Sequence, residues 1–267
     1  YKKLHKKGSY TAEDITEYNS LIDNTHTILK GALNQGIADN VIPETMRKSL
    51  EEDVFVFSAL KTHAQLFEAS RQLLQEDGTR KPFYKFSRDV ESIKTNYNQN
   101  YLQAEYQFAN SSAQQAAKWA EVEENQGRYD IQYRTAKDDR VRDSHEKLHG
   151  ITLPASDDFW NEYYPPNGWR CRCVAIEVLK GKYPVSDPIS SLEKGQNATS
   201  KIGKDGKNRL EIFRFNPGKS KVVFPPNHPY RKVQGADLVI KSTKGIIEKR
   251  NEDIVYENIS LNEIKTL

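Results

Sequence analysis

The chain has 267 residues, room for one large domain or two small ones, with 40 basic against 37 acidic side chains and a formal charge of +3. That near balance excludes a protein that coats DNA along its whole surface, while leaving room for a local basic patch. Hydrophobic residues make up only 36% and mean hydropathy is -0.81, so the 14 tyrosines must supply much of the buried area.

No stretch approaches the roughly 18 apolar residues of a membrane span, so no membrane association is expected. The longest apolar run, "VFVFSAL", is far too short. The opening "YKKLHKKGSY" is basic with no apolar segment behind it and does not read as a signal peptide. The first residue is not Met, which fits a trimmed or processed chain. With two cysteines there is no disulfide framework, and synthesis in the cytoplasm is the expectation.

Residues 11–120 read as helical. "TAEDITEYNSLIDNTHTILKGALNQGI" opens with a hydroxyl cap and acidic residues, and Leu21, Ile22, Ile28, Leu29 and Leu33 then recur at helical spacing. Gly36 and Pro43 punctuate it, and Pro43 suits the first turn of the next helical stretch, which is long enough for two helices. "EDGTRKPF" reads as a turn. A third helical segment follows, with Ile93, Tyr97, Tyr101, Leu102, Tyr106 and Ala109 suited to one face.

The texture changes near Gly127. "RYDIQYRTA" alternates as a strand with Ile131 and Tyr133 pointing one way, and further strands are expected in "CRCVAIEVL", "RLEIFRF" and "KVVF". Residues 150–190 are rich in Pro, Gly, Asp and aromatics, and 191–208 read as a flexible loop. There is no internal repeat. The expected fold class is α+β: a mainly helical region over 1–126, then a small, loop-rich domain with short antiparallel strands over 127–235. Residues 236–267 form a tail without an assigned role.

Four borderline-soft metal ligands lie within 29 positions: His145, His149, Cys171 and Cys173. His145 and His149 would share a face of a helix, and the two thiolates can reach one ion if the backbone between them turns. A Cys2His2 set suits tetrahedral zinc, although C-x-C is tighter than the usual finger spacing. "HEKLH" also matches H-E-x-x-H, in which Glu146 would be the general base of a zinc hydrolase. Against that reading, Gly150 ends any helix at once and no apolar helical pattern flanks it. The plain structural reading is a buried histidine paired with Asp139 or Asp143, a helix-end His149, and two small packed thiols. From the residues alone, zinc and plain packing stand level. A redox pair is disfavoured because C-x-C lacks the C-x-x-C helix start.

The stretch "YRTAKDDRVRDSHEKLHGITLPASDDFWNEYYPPNGWRCRC" resembles the phage Mu F-like minor head protein family, also called the phage head morphogenesis family. Tyr133 and Thr135, then Asp139, Arg140, Val141 and Arg142, then His145, Leu148 and Gly150 follow its pattern. So do Asp158, Phe159 and Trp160, then Pro165, Pro166, Gly168 and Trp169, then Cys171, Arg172 and Cys173. The match is good over about residues 95–180, and "FRFNPGKSKVVFPPNHPY" looks like the family's closing segment. The resemblance implies a head morphogenesis domain over 127–235, with its motif part at 127–180. It implies a minor head protein of a tailed phage or prophage that is built into the virion head interior with few copies. Its implied partners are the portal and other head proteins, with phage DNA a further candidate in packaging or ejection. No established enzyme class is implied. Within the pattern, His145, Cys171 and Cys173 are motif positions, whereas the place of His149 is usually taken by other residues. The fourth ligand of a structural zinc is then left to His149, His228, an Asp or water.

Asp139, Arg140 and Arg142 read as half-buried ion pairs tying the strand to the motif helix, in preference to a patch for the portal or DNA. Trp160, Trp169 and Phe159 read as core. Pro165 to Gly168 reads as a chain reversal that turns the cysteines toward His145. The basic stretch 201–221 reads as a solvated loop.

Overall fold

The structure is a computed structural model, and it describes residues 1–125 and 127–249. The chain divides into two compact units. One is built from Tyr1–His26, Phe55–Gln99 and the described residues from Pro229 on; the other from Thr27–Val54 and Asn100–His228. The elements in chain order are α1 (Lys2–Lys7), α2 (Asn19–Ile37), α3 (Glu44–Ser70), α4 (Phe83–Asp89), α5 (Glu91–Thr95), α6 (Leu102–Glu124) and β1 (Tyr129–Arg134). They continue with α7 (Asp143–Glu146), β2 (Thr152–Pro154), α8 (Phe159–Glu162), β3 (Val174–Leu179), α9 (Pro188–Ala198) and α10 (Pro217–Ser220). A last helix, α11, covers 236–249, and the rest of the tail over 250–267 lies outside the described residues. No helix among the described residues is long and apolar enough to cross a membrane. The expected α+β class, helical first and then a small antiparallel sheet, is the one observed.

The first unit packs Leu4, Ile15, Tyr18, Phe57, Phe86 and Tyr97 into its core. Its hub is His63 on α3, fully buried. One ring nitrogen, Nε2, lies 2.9 Å from the carbonyl of Gln234, and a carbonyl can only accept, so Nε2 carries the proton. Nδ1 therefore accepts from the Tyr10 hydroxyl at 2.9 Å. Three distant segments are tied by one neutral ring. The second helical stretch is a single helix of 27 residues, because nothing inside it breaks the ladder. The third is offset by a π turn over Asn96–Tyr101, which rotates the side-chain register, so Tyr97 is buried while Tyr101 is 44% exposed. Of the spaced apolar residues of α2, Ile22, Leu29 and Leu33 are buried, but Leu21 and Ile28 are exposed.

The second unit centres on a three-stranded antiparallel sheet in the order β2-β1-β3. Gln132 sits opposite Thr152 on one side and Ile176 on the other. Ile131 and Tyr133 are buried as the alternation predicts, and they join Trp119, Leu148, Leu153, Phe159, Trp160 and Tyr164 in one core. Helix α6 is fixed to the sheet by Gln115, whose Oε1 accepts the Ala175 N–H at 2.9 Å. Gly36 does not end α2. It permits close approach instead, since a Cβ there would lie 2.2 Å from the Asn110 carbonyl oxygen of α6.

Three local expectations are corrected. Residues 188–198, within and just before the expected flexible loop, form α9: Asp187 accepts the Ser190 N–H at 2.8 Å and Pro188 starts the first turn. "RLEIFRF" holds only a 3-10 turn, Glu211–Phe213. "KVVF" is not a strand either, because its amides find a carboxylate rather than a neighbouring strand. The buried Asp53 Oδ2 accepts the N–H of Val223 and of Phe224, each at 2.9 Å.

Asp53→Ala should therefore cost about 2–4 kcal/mol in urea unfolding, since it strands two buried amides; a loss within error of zero would remove them as a structural tie. Burial holds the His63 pKa below its ordinary value, opposed only partly by Gln234. The unfolded chain thus binds the proton more readily, so this contribution is present above about pH 6.5 and is lost as the pH falls through the folded value. Urea midpoints measured from pH 7.5 to pH 5 should fall in the wild type and fall less in His63→Asn.

Candidate metal centre

The site is assembled on β1 and two irregular segments. β1 ends at Arg134, and the chain returns through the short α7, which carries His145. This return is pinned to β1 by two backbone bonds: Gly150 N–H to the Tyr133 carbonyl and Tyr133 N–H to the Ile151 carbonyl, each at 2.9 Å. Gly150 has φ +82, a left-handed value that glycine adopts without a Cβ penalty. The second segment reverses over Pro165 to Gly168, with a cis bond between Pro165 and Pro166. Asn167 is buried there and accepts the Tyr133 hydroxyl at 2.9 Å.

The turn lies before the cysteines, not between them. Cys171 N–H bonds the Gly168 carbonyl at 3.1 Å, and Arg170 has φ 60. From there the thiols point inward together, as positions i and i+2 of an extended chain do, while Arg170 and Arg172 are exposed.

His145, Cys171 and Cys173 are buried, and their ligand atoms lie within 4.8 Å of one another. His145 Nδ1 is 3.6 Å from each sulfur. A tetrahedral zinc with bonds near 2.05 Å to nitrogen and 2.3 Å to sulfur requires an N···S edge of about 3.6 Å. The donor set therefore fits zinc in type and in spacing. A small cavity of about 20 Å³ abuts all three residues, room for one water. The other ring nitrogen, Nε2, is buried without a hydrogen-bond partner in the described structure.

The Cys171 pKa is pulled well down, first by the Cys173 S–H and then by His145, against the cost of burial. Beside that thiolate, and itself buried, Cys173 is pushed up. A divalent cation would favour the second thiolate as well.

The other sequence candidates fall elsewhere. His149 lies beyond the end of α7, because the helix spans only Asp143–Glu146 and the two imidazoles never share a face. Its Nδ1 takes the Thr135 N–H at 3.1 Å, and the Thr135 hydroxyl donates to Glu146 at 2.9 Å. Neither His149 nor Glu146 joins the ligand cluster, so the H-E-x-x-H geometry is not formed. His228 is buried edge-on to Trp169, with centroids 5.7 Å apart, also outside the cluster.

Trp160, Pro166 and Gly168 are buried as the core and chain reversal require. Arg140 and Arg142 are corrected: both are exposed rather than half-buried. Arg142 donates to the Trp169 carbonyl. The acid that takes an arginine is Asp138, not Asp139. It binds Arg172 through both oxygens, at 2.5 and 2.6 Å, and this guanidinium holds its carboxyl far below the usual range. The signal for this outer layer was present in "WRCRC", where charge and thiol alternate with a period of two.

The chain belongs to the family described as "Phage Mu protein F like protein", which matches residues 28–176. Two curated relatives agree: the "Putative capsid assembly protein F" of Escherichia phage Mu, 48% identical over 42 residues, and the "Mu-like prophage FluMu F protein" of Haemophilus influenzae, 41% identical over 69 residues. The aligned stretches cover 16% and 26% of this chain but only 10% and 16% of those proteins. No solved structure matches.

Cobalt(II) added to the reduced protein should give thiolate-to-metal absorption. Cys171→Ser and Cys173→Ser should each weaken or abolish it, and His149→Ala should leave it unchanged; equal loss in His149→Ala would refute the three-residue ligand set.

Proposed function

We propose that this protein is a minor head protein of a tailed phage or prophage, acting in head morphogenesis together with the portal and other head proteins. The observation that carries this reading is the convergence of the family's motif positions on one buried centre. Tyr133, His145, Gly150, Trp160 and the two cysteines are successive parts of one spacing pattern, and all serve to close the same small domain. A relative 48% identical over 42 residues carries the description "Putative capsid assembly protein F". The role is structural, in the interior of the phage head, after synthesis in the host cytoplasm.

Within that role, His145, Cys171 and Cys173 form a zinc clip whose fourth ligand is a water in the adjoining cavity. Zinc supplies the cross-link that a loop-rich unit with a modest aliphatic core otherwise lacks. A second reading, a zinc-dependent hydrolase carried in the head, is favoured by one observation: three protein ligands and room for a water are also the coordination of catalytic zinc. The structural reading is preferred because Glu146, the candidate base, is turned to Thr135.

Co-expression with the portal and major capsid proteins of the same phage should yield particles that retain this protein through gradient sedimentation. Cys171→Ser should reduce both its zinc content and its incorporation. Wild-type protein absent from every particle and from portal pull-downs would defeat the proposal.

A further inference from the structure

Within the unit that contains the metal centre lies an open cleft of about 790 Å³. One wall is Arg140, Arg142, Arg170 and Arg172, and among the described residues no acidic side chain lines the cleft. Asp138 neutralises Arg172 and approaches Arg140 only at 3.6 Å, while Arg170 has no ion pair among the described residues. The arginines are therefore a wall of exposed forks with charge left over, the geometry that grips phosphate oxygens in pairs. The facing wall is different. Helix α6 presents Gln103, Gln107 and Asn110, spaced by three or four residues on one face. Each side-chain amide carries an acceptor as well as donors. A ligand made only of acceptors, such as inorganic phosphate, would engage the arginines but leave the amide oxygens without a donor. Nucleic-acid bases carry both, and Asn and Gln are the side chains that match their edges. Tyr106, also on this wall, adds a ring.

We propose that this cleft binds a single nucleic-acid strand, with its phosphates on the arginine wall and its bases toward the amide face of α6. A cleft of this volume encloses a few nucleotides of one flexible strand, whereas a duplex, stiff over about 150 base pairs, meets only its rim. The inference stands on the cleft, so it holds or fails independently of portal binding and of zinc.

The test is fluorescence anisotropy with a short mixed-sequence single-stranded DNA, at several salt concentrations, on the full chain. Arg140→Gln combined with Arg170→Gln should weaken binding roughly tenfold or more and flatten the plot of log affinity against log salt by about 1.4, near 0.7 for each phosphate no longer neutralised. Both side chains are exposed, so the fold should be retained, as checked by circular dichroism. Gln103→Ala with Gln107→Ala should weaken binding and leave the salt slope unchanged. Lys204→Gln with Lys207→Gln, in the basic stretch away from the cleft lining, should change neither. No binding by the wild type, an unaltered slope in the arginine variant, or equal binding of duplex DNA or polyglutamate would overturn the proposal.

Discussion

Tyr133 is the residue on which the small domain closes. Its main-chain N–H and carbonyl hold Ile151 and Gly150, which fixes the segment carrying His145. Its side chain crosses the core and gives its hydroxyl to Asn167, which fixes the segment carrying the cysteines. Neither segment has enough regular structure to place a ligand by itself, since α7 has only four residues and Cys171 to Cys173 lie outside any strand. Two loops are made precise by one residue of a strand. The tyrosine is fully buried, and burial drives its pKa far up, so it stays a neutral donor.

The low mean hydropathy is reconciled with a well-filled core by the choice of side chains. Trp119 meets Tyr164 edge-on with centroids 5.1 Å apart, and Phe159 meets Trp160 the same way at 4.8 Å. Rings bury large areas per residue and add favourable edge-to-face electrostatics. A few aromatics thus replace the longer list of aliphatic residues that a loop-rich unit has no strands or helices to carry.

Much of this was legible in the sequence because it is local. The alternation of β1, the long helices and the clustering of the motif residues all follow from short spacings. What was not legible depended on neighbours far along the chain. "RLEIFRF" reads as a strand, yet Phe213 is buried from a 3-10 turn and Phe215 from the bend that follows it. "KVVF" has strand-forming residues, yet Asp53, 170 positions before Val223, takes the Val223 amide instead. The helix 188–198 was missed although Asp187 and Pro188 announce it, because the polar sequence that follows reads as loop. The pairing of His145 with His149 assumed a helix long enough for a full turn, and the Gly150 turn leaves no space for one.

The alternation in "RCRC" has a further consequence for how this segment can change. Thiols face the interior and guanidiniums face outward only because each repeats every second position. Insertion or deletion of a single residue just before Cys171 would exchange the two sets, exposing the sulfurs and forcing charge into the core. Length is therefore constrained here as tightly as residue type, so a centre built from loops is held to a frame as strict as that of a central strand.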